Sequence, residues 1–364
     1  MIDERLLKSE EKAVINLRSL YRKYGYTPFR MSKFEEYDLY VRNKDFLVSD
    51  RVITFNDTNG KLMALKPDVT LSIIKSSEDI PNCKKKVFYN ENVYRISKST
   101  RRFKEIMQAG LECIGTLDLY DIYEVILLAV KSLEQISDSF VLNVSHLGIL
   151  QNILGGICPD SVFVERAISL IEEKNGHDLL KLGSEYDINA EDRDKLAVLI
   201  GASGNRDKVL SMLGTICSDD ELRELRELSE MLNRSLLSDR ILFDFSVVNS
   251  MNYYSGFVFR GFVDGICDGV LAGGQYDKMM KKMGRKSGAI GFALYLDLLE
   301  QLGRESSGFD VDILLLYDDS AGSDAVAAKV NELISLGKTV SAQRAVPDKL
   351  RYRETVDLRR DYNA

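Results

Sequence analysis

The sequence predicts an α+β fold, antiparallel hairpins flanked by helices, on three observations. Strand-like segments separated by turn residues cluster between Tyr26 and Thr116 and return at Ile241. The stretch between about Asp118 and Asp239 is mostly helical in pattern. After a compositional break at GRESSGFD, a strand–helix–strand unit follows. The expected organisation is a core at residues 1–304 that contains the helical insertion at about 118–239, and a small α/β appendage at 309–364.

Each element has its own warrant. Ser9, followed by Glu10 and Glu11, marks a helix start, because a hydroxyl satisfies orphan N–H groups and acids suit the positive end of the helix dipole. Val14, Leu17, Leu20 and Tyr21 then form an apolar stripe that runs until Gly25. RVITFND and NGKLMAL read as strands about an Asp-Thr-Asn-Gly turn, and PDVTLSIIKSS as a short helix begun after Pro67. KKKVFYNENVYRI is a strand, STRRFKEI a basic loop and MQAGLECIGT a second strand. Within the insertion, LYDIYEVILLAVKSLEQI is amphipathic, FVLNVSH is one short strand and SDDELRELRELSEMLNRSLL a capped helix. ILFDFSVV and FVFRGFV are strand-like on either side of VVNSMNYYSG, which reads as a hairpin connection. The segment ending GAIGFALYLDLLEQL closes with a Gly-rich turn and an apolar helix. In the appendage VDILLLYDD is a strand, 323–336 a helix, KTVSAQR a strand and DKLRYRETVDLRRDYNA a terminal helix.

Composition narrows the function. The chain of 364 residues is long enough for a full core, and it has no apolar run of membrane-spanning length. MIDERLLKSEEK is charged throughout and lacks the apolar centre of a signal peptide, so a cytoplasmic protein is expected. Five dispersed cysteines and two histidines fit neither a disulfide framework nor a metal site, and no cofactor is implied. A net charge of −7 argues against a protein whose main task is gripping nucleic acid.

Five pieces carry a resemblance: LKPDVT at 65–70, YNENVYRISKSTRRFKEIMQAGLECIG at 89–115, VVNSMNYYSG at 247–256, LAGGQYD at 271–277 and GAIGFALYL at 288–296. In this order they resemble the catalytic core of class II histidyl-tRNA synthetases over roughly residues 1–300. They resemble still more closely that family's non-aminoacylating paralogues, the regulatory subunits of ATP phosphoribosyltransferase. The resemblance implies a class II synthetase-like antiparallel sheet. It also implies a histidine pocket in which Asp68 and Thr70 take the amino group and Arg95 holds an α-phosphate or carboxylate. Gln108 and Glu112, four apart on one strand, would face the polar end and the imidazole of histidine. Tyr254 would close on the ring, and Tyr276 would line the same pocket.

The pattern breaks where the synthetases bind ATP. Their histidine-loop arginine falls here at Asn249, their motif 3 arginine at Leu298, that motif's glycine at Tyr295, and the adenine-contacting acid near Ser97. The arginine of the Gly-Gly turn is Gln275. Loss of one charge-stabilising donor typically costs about 3–4 kcal/mol of transition-state stabilisation, so adenylation is not expected and no residue is assigned as catalytic. Only about fifty residues follow Phe309, which resembles the start of an anticodon-binding domain and makes tRNA recognition doubtful.

Other residues read as structural. Arg101, Arg102 and Lys104 suit a solvated loop or subunit contact, His146 a strand–helix junction and Asp277 a turn or cap. The cysteines suit small buried hydrophobes. Adjacent strand residues point to opposite faces, so Tyr253 is expected inward and Tyr254 towards the ligand. The resemblance implies a non-catalytic subunit that pairs as a homodimer within a hetero-octamer with a short-form ATP phosphoribosyltransferase catalytic subunit and transmits feedback inhibition by L-histidine. Histidine in the synthetase-like pocket and histidine at the subunit interface both stay open at this point. So do a divergent synthetase and a histidine sensor serving another enzyme.

Overall fold

The computed structural model describes residues 9–44, 52–79, 82–96, 102–248, 253–302 and 309–359. The chain divides into two compact units, Met1–Leu302 and Gly303–Ala364. Among the described residues no helix is long and apolar enough to cross a membrane.

The first unit begins with α1 (Ser9–Lys23), β1 (Thr27–Pro28), β2 (Phe34–Glu36), α2 (Tyr37–Arg42), β3 (Thr54–Asn56), β4 (Leu62–Leu65) and α3 (Thr70–Lys75). Two long strands follow, β5 (Lys84–Ile96) and β6 (Phe103–Gly115). The insertion holds α4 (Leu119–Glu134), β7 (Phe140–His146), α5 (Leu147–Ile157), α6 (Ser161–Glu172), α7 (Gly176–Glu185), α8 (Ala190–Gly201), β8 (Ser203–Gly204), α9 (Arg206–Leu213) and α10 (Asp219–Asn233). The chain then returns through β9 (Ile241–Asp244), β10 (Phe257–Val263), β11 (Leu271–Gln275), α11 (Asp277–Lys282) and β12 (Gly288–Tyr295).

A nine-stranded, mainly antiparallel sheet in the order β1-β5-β6-β12-β11-β10-β7-β9-β8 forms the frame. Its core face carries Phe88, Ala109, Leu111, Cys113, Phe292 and Leu294, which pack with α1 and α4 into one large apolar cluster. The helix ends explain why the insertion folds locally. Asp118 and Asp121 form a capping box on α4, and Ser218 and Glu221 form another on α10. Leu222, Leu225, Leu228 and Leu232 of α10 are buried at helical spacing, so the Leu-Arg-Glu-Leu run is a core stripe with a solvated back. The Asp-Thr-Asn-Gly turn between β3 and β4 closes with Gly60 at φ +78°, where its N–H donates to the Asp57 carbonyl at 3.1 Å.

Four expectations for the first unit need correction. Phe103–Ile106 is strand, not basic loop, because it continues the β5–β6 ladder opposite Val93–Ile96. The apolar helix expected to close GAIGFALYLDLLEQL is confined to a 3-10 helix at Leu296–Leu302, and GAIGFALY before it is the buried strand β12; a short, wholly apolar run has no period to separate the two states. VVNSMNYYSG does not join a hairpin, since β7 lies between β9 and β10 in the sheet and runs parallel to β9. Of the cysteines, Cys113 is buried, but Cys83 and Cys267 are exposed.

The second unit is a parallel three-stranded sheet in the order β14-β13-β15, built from β13 (Val311–Leu316), β14 (Val340–Gln343) and β15 (Tyr352–Asp357). The helix α12 (Ser323–Ser335) packs Leu333 against Ile313 and Leu315. Tyr352–Asp357 is therefore a strand where a terminal helix was expected; its alternating Tyr, Glu and Val side chains carry a period of two.

Candidate functional site

The site is built on the face of the sheet opposite the core. Gln108, Gly110 and Glu112 alternate along β6 with the core residues Ala109, Leu111 and Cys113, as the strand period requires. On β5 their partners are Glu91, Tyr89 and Val87. On β12 their partners are Tyr295, Ala293 and Gly291, and β11 continues the rows with Ala272 and Gly274. Glycine and alanine thus floor a hollow rimmed by larger side chains. A Cβ on Gly291 would overlap Glu112 Oε2, and one on Gly274 would lie 2.8 Å from Tyr254 Cδ1. These glycines supply the room in which a carboxylate and a phenol ring lie flat across the sheet.

Glu112 is the centre. The Tyr276 hydroxyl donates to Oε2 at 2.6 Å and Thr70 Oγ1 donates to Oε1 at 3.0 Å. Burial pushes the Glu112 carboxyl up to about 8, the two hydroxyls pull it back, and the neighbouring Asp68 adds to the rise. Asp68 is also buried and raised, chiefly by desolvation, while Arg95 and the backbone N–H groups of Leu71 and Thr70 oppose the shift. The Leu71 N–H reaches Asp68 Oδ1 at 3.1 Å. Arg95 Nε donates to the Pro67 carbonyl at 2.9 Å, so the guanidinium is tied to the segment that carries Asp68 and Thr70.

The tyrosines close the hollow. The Tyr253 and Tyr254 rings lie 4.6 Å apart between centroids, tilted by 55°, and Tyr253 meets Tyr276 at 5.9 Å. Tyr253 is buried and Tyr254 half-buried, in a turn rather than a strand, so both contribute to the same wall. The Tyr254 phenol is held far above its ordinary range, first by burial and then by Tyr295, Glu112 and Asp68.

All seven sequence-selected residues therefore fall on one patch. Asp68, Thr70, Glu112, Tyr254 and Tyr276 are joined by hydrogen bonds or close electrostatic interaction, and Arg95 joins through Asp68 and Pro67. Gln108 sits buried on the same face, two rows from Glu112.

Sequence reasoning missed three participants. Lys66 is fully buried and its Nζ donates to Glu91 Oε2 at 2.6 Å, at the Gln108 end of the hollow. Tyr89 lies under Gly110, a position whose Cβ would come within 2.5 Å of the Tyr89 hydroxyl. The alternation of Tyr89, Glu91 and Val93 along a single strand was the available signal for Tyr89 and Glu91. Lys66 offered none beyond its place next to Pro67.

Asn249, Ser97 and Arg101 lie outside the described residues. Leu298 packs against the main apolar cluster, and Tyr295 stands close enough to Tyr254 and Tyr89 to act on both phenols. Gln275 Oε1 accepts from the Phe257 N–H at 2.7 Å, so that side chain latches the start of β10. Lys104 pairs with Asp297 at 2.8 Å. His146 caps α5, accepting from the Ile149 N–H at Nδ1, at the strand–helix junction read from sequence; Asp277, expected as a turn or cap residue, instead accepts from the Ala289 N–H at 2.9 Å and ties the start of α11 to β12.

A model of the histidyl-tRNA synthetase family matches residues 2–299. An ATP phosphoribosyltransferase regulatory subunit from Clostridium acetobutylicum is 26% identical over 338 residues, covering 88% of this chain and 82% of its own length. Among solved structures, an ATP phosphoribosyltransferase regulatory subunit/histidyl-tRNA synthetase from Bacillus halodurans aligns with a TM-score of 0.77 at 22% identity, covering 99% of this chain and 97% of that one. An ATP phosphoribosyl transferase (HisG:HisZ) complex from Thermotoga maritima aligns with a TM-score of 0.62 at 20% identity, over 81% of this chain and 97% of that one. At these identities the structural likeness establishes the fold, which is the class II synthetase-like α+β architecture expected from the sequence.

Proposed function

This chain belongs to the histidyl-tRNA synthetase family, and from that membership we propose that it is a regulatory subunit of ATP phosphoribosyltransferase acting in histidine biosynthesis. It binds no ATP for chemistry of its own. The observation that carries the reading is the pairing of an intact amino-acid cluster with altered phosphate-side positions. Asp68, Thr70, Glu112, Tyr254 and Tyr276 are brought together around a glycine-floored hollow. Leu298 is committed to the core and Gln275 to a backbone latch, leaving neither to neutralise a triphosphate.

In this reading the ammonium of histidine meets Asp68 and Thr70, its carboxylate meets Arg95, and its ring lies against Tyr254 with Glu112 and Tyr276 at the ring nitrogens. The partner is a short-form catalytic subunit, and the regulatory chain pairs with a second copy of itself within a hetero-octamer. The Clostridium acetobutylicum relative carries the regulatory-subunit name, and the Thermotoga maritima neighbour is itself a complex. Histidine inhibits by favouring a less active arrangement of the assembly, in proportion to its differential affinity for the two arrangements.

Calorimetric titration with L-histidine and with ATP tests the pocket: histidine binds and ATP does not. Histidine-dependent ATP–pyrophosphate exchange would overturn the reading in favour of an active synthetase. Failure to co-purify with a phosphoribosyltransferase catalytic chain would favour a sensor serving another enzyme.

A further inference from the structure

The hollow has a graded floor. Along β12 the positions that face it step up in size from Gly291 to Ala293 to Tyr295. Gly291 lies opposite Glu112, and Tyr295 lies opposite Gln108, two rows further along β6. Burial follows the same gradient: Glu112, Gly291 and Gly274 are buried, whereas Ala293, Ala272 and Tyr295 are half-buried. The Glu112 end is therefore enclosed, and solvent reaches the floor over Ala272, Ala293 and Tyr295.

Two other rings fix what Tyr295 stands against. The Tyr89 hydroxyl lies against Gly110 and reaches the Phe292 carbonyl at 3.5 Å, so that ring crosses from β5 to β12. The Tyr254 ring lies against Gly274 on β11. Tyr295 is close to both. After burial it is the first group to raise the Tyr254 phenol, and it adds to burial, Glu112 and Asp68 in raising the Tyr89 phenol. Arg95 acts on the Tyr254 phenol in the opposite sense, so the guanidinium and Tyr295 approach the same ring. In the proposed binding mode the histidine carboxylate meets Arg95 and its imidazole lies against Tyr254, which places the carboxylate at the Tyr295 end.

We infer that Tyr295 is a specificity-determining residue: its ring closes the hollow at the ligand's carboxylate, admitting a free amino acid and rejecting one whose carboxyl group is extended by an ester or amide. An acyl substituent on that carbon runs into the Tyr295 ring instead of the low floor that Gly291 and Ala293 provide. Forcing atoms into filled space strains rotamers or shifts neighbours, and a built-in clash is how a site rejects a competitor that shares its other contacts. The inference rests on the proposed histidine pocket and adds the shape of ligand that this pocket accepts.

The experiment uses the full chain and compares L-histidine with the dipeptide L-histidylglycine, which keeps the imidazole and the free amino group and extends the carboxyl. Both are titrated calorimetrically into wild type, Tyr295→Phe and Tyr295→Gly, and the readout is the ratio of the two affinities. The dipeptide also lacks the α-carboxylate charge, a loss common to all three chains, so a change in the ratio reports the ring. Wild type should prefer histidine by about 100-fold, a discrimination that a shaped pocket supplies. Tyr295→Phe keeps the ring and should keep that ratio, whereas Tyr295→Gly should lower it by about tenfold or more. Tyr295→Ala repeats the test should the glycine variant not fold. A merely structural role would weaken both ligands together; an unmoved ratio in the enlarged variants overturns the inference. Loss of the ratio in Tyr295→Phe assigns the discrimination to the hydroxyl and overturns the ring as the wall. A wild type that binds the dipeptide as tightly as histidine overturns the inference and leaves the histidine pocket standing. If the wild type binds no histidine, the proposed function falls and this inference falls with it.

Discussion

The two faces of β6 and β12 are made by alternate residues of the same strands, yet they solve opposite problems. On one face Leu111, Phe292 and Leu294 are buried among apolar neighbours with rings and methyl groups in contact. On the other, Gly110, Gly291 and Ala293 keep the sheet low so that Glu112 and the tyrosines fill the space with polar groups. A single strand thus contributes stability through one set of side chains and, in the proposed reading, recognition through the other. The contrast also separates what a mutation should damage: volume on the packed face, room and charge on the hollow face.

The largest effect is expected on the packed face. Phe292 is buried with its ring edge-on to Tyr21 at 6.2 Å and near Phe259 at 6.3 Å. Phe292→Ala should cost about 3–5 kcal/mol of unfolding free energy in urea titration. One residue away, Gly291→Ala should behave differently, because the new Cβ displaces the Glu112 carboxylate. Overpacking of this kind costs about 1–3 kcal/mol of stability, but histidine affinity should fall by about 100-fold or more, equivalent to about 2.7 kcal/mol. If Gly291→Ala binds histidine normally, the hollow is not the ligand site.

A smaller loss is expected from Tyr276→Phe. It keeps the ring and removes the donor at 2.6 Å from Glu112, leaving a buried carboxyl short of one partner. Affinity should drop about tenfold, in line with about 1–3 kcal/mol for an orphaned buried group. The same carboxyl makes stability depend on pH. Its pKa is raised from 4.5 to about 8 in the folded chain, so between those values the folded state holds a proton that the unfolded state has lost. Stability from this group is therefore present at low pH and declines as pH rises through that window. Thermal melts of ligand-free wild type should show that decline, and Glu112→Gln should flatten it.

How much of this was legible beforehand follows the same division. The alternation in MQAGLECIG marks both faces of β6, and the caps at Asp118 and Ser218 mark their helices, because these signals are local. The seven residues assigned from motifs fall together on one face of the sheet. GAIGFALY was not legible as a strand because an apolar run in the middle of a sheet has no polar face to betray its period. The terminal strand Tyr352–Asp357 was misread because charged residues dominated its pattern. The Lys66–Glu91 pair was invisible, since its partners are twenty-five positions apart and only the docking of the 66–70 segment onto β5 brings them together.

The smallest effect serves as the control that keeps stability and recognition apart. Ser218 caps α10, accepting from the Glu221 N–H while the Glu221 carboxylate reaches back to the Ser218 N–H at 2.8 Å. Ser218→Ala removes one half of that exchange and should cost about 1 kcal/mol in urea titration. The helix belongs to the insertion and packs its leucines on the core side of the sheet, away from the glycine-floored hollow. Histidine affinity should therefore stay at its wild-type value. A fall in affinity in Ser218→Ala matching its loss of stability would mean that the pocket reports on global folding, and the distinction between the two faces would then lose its basis.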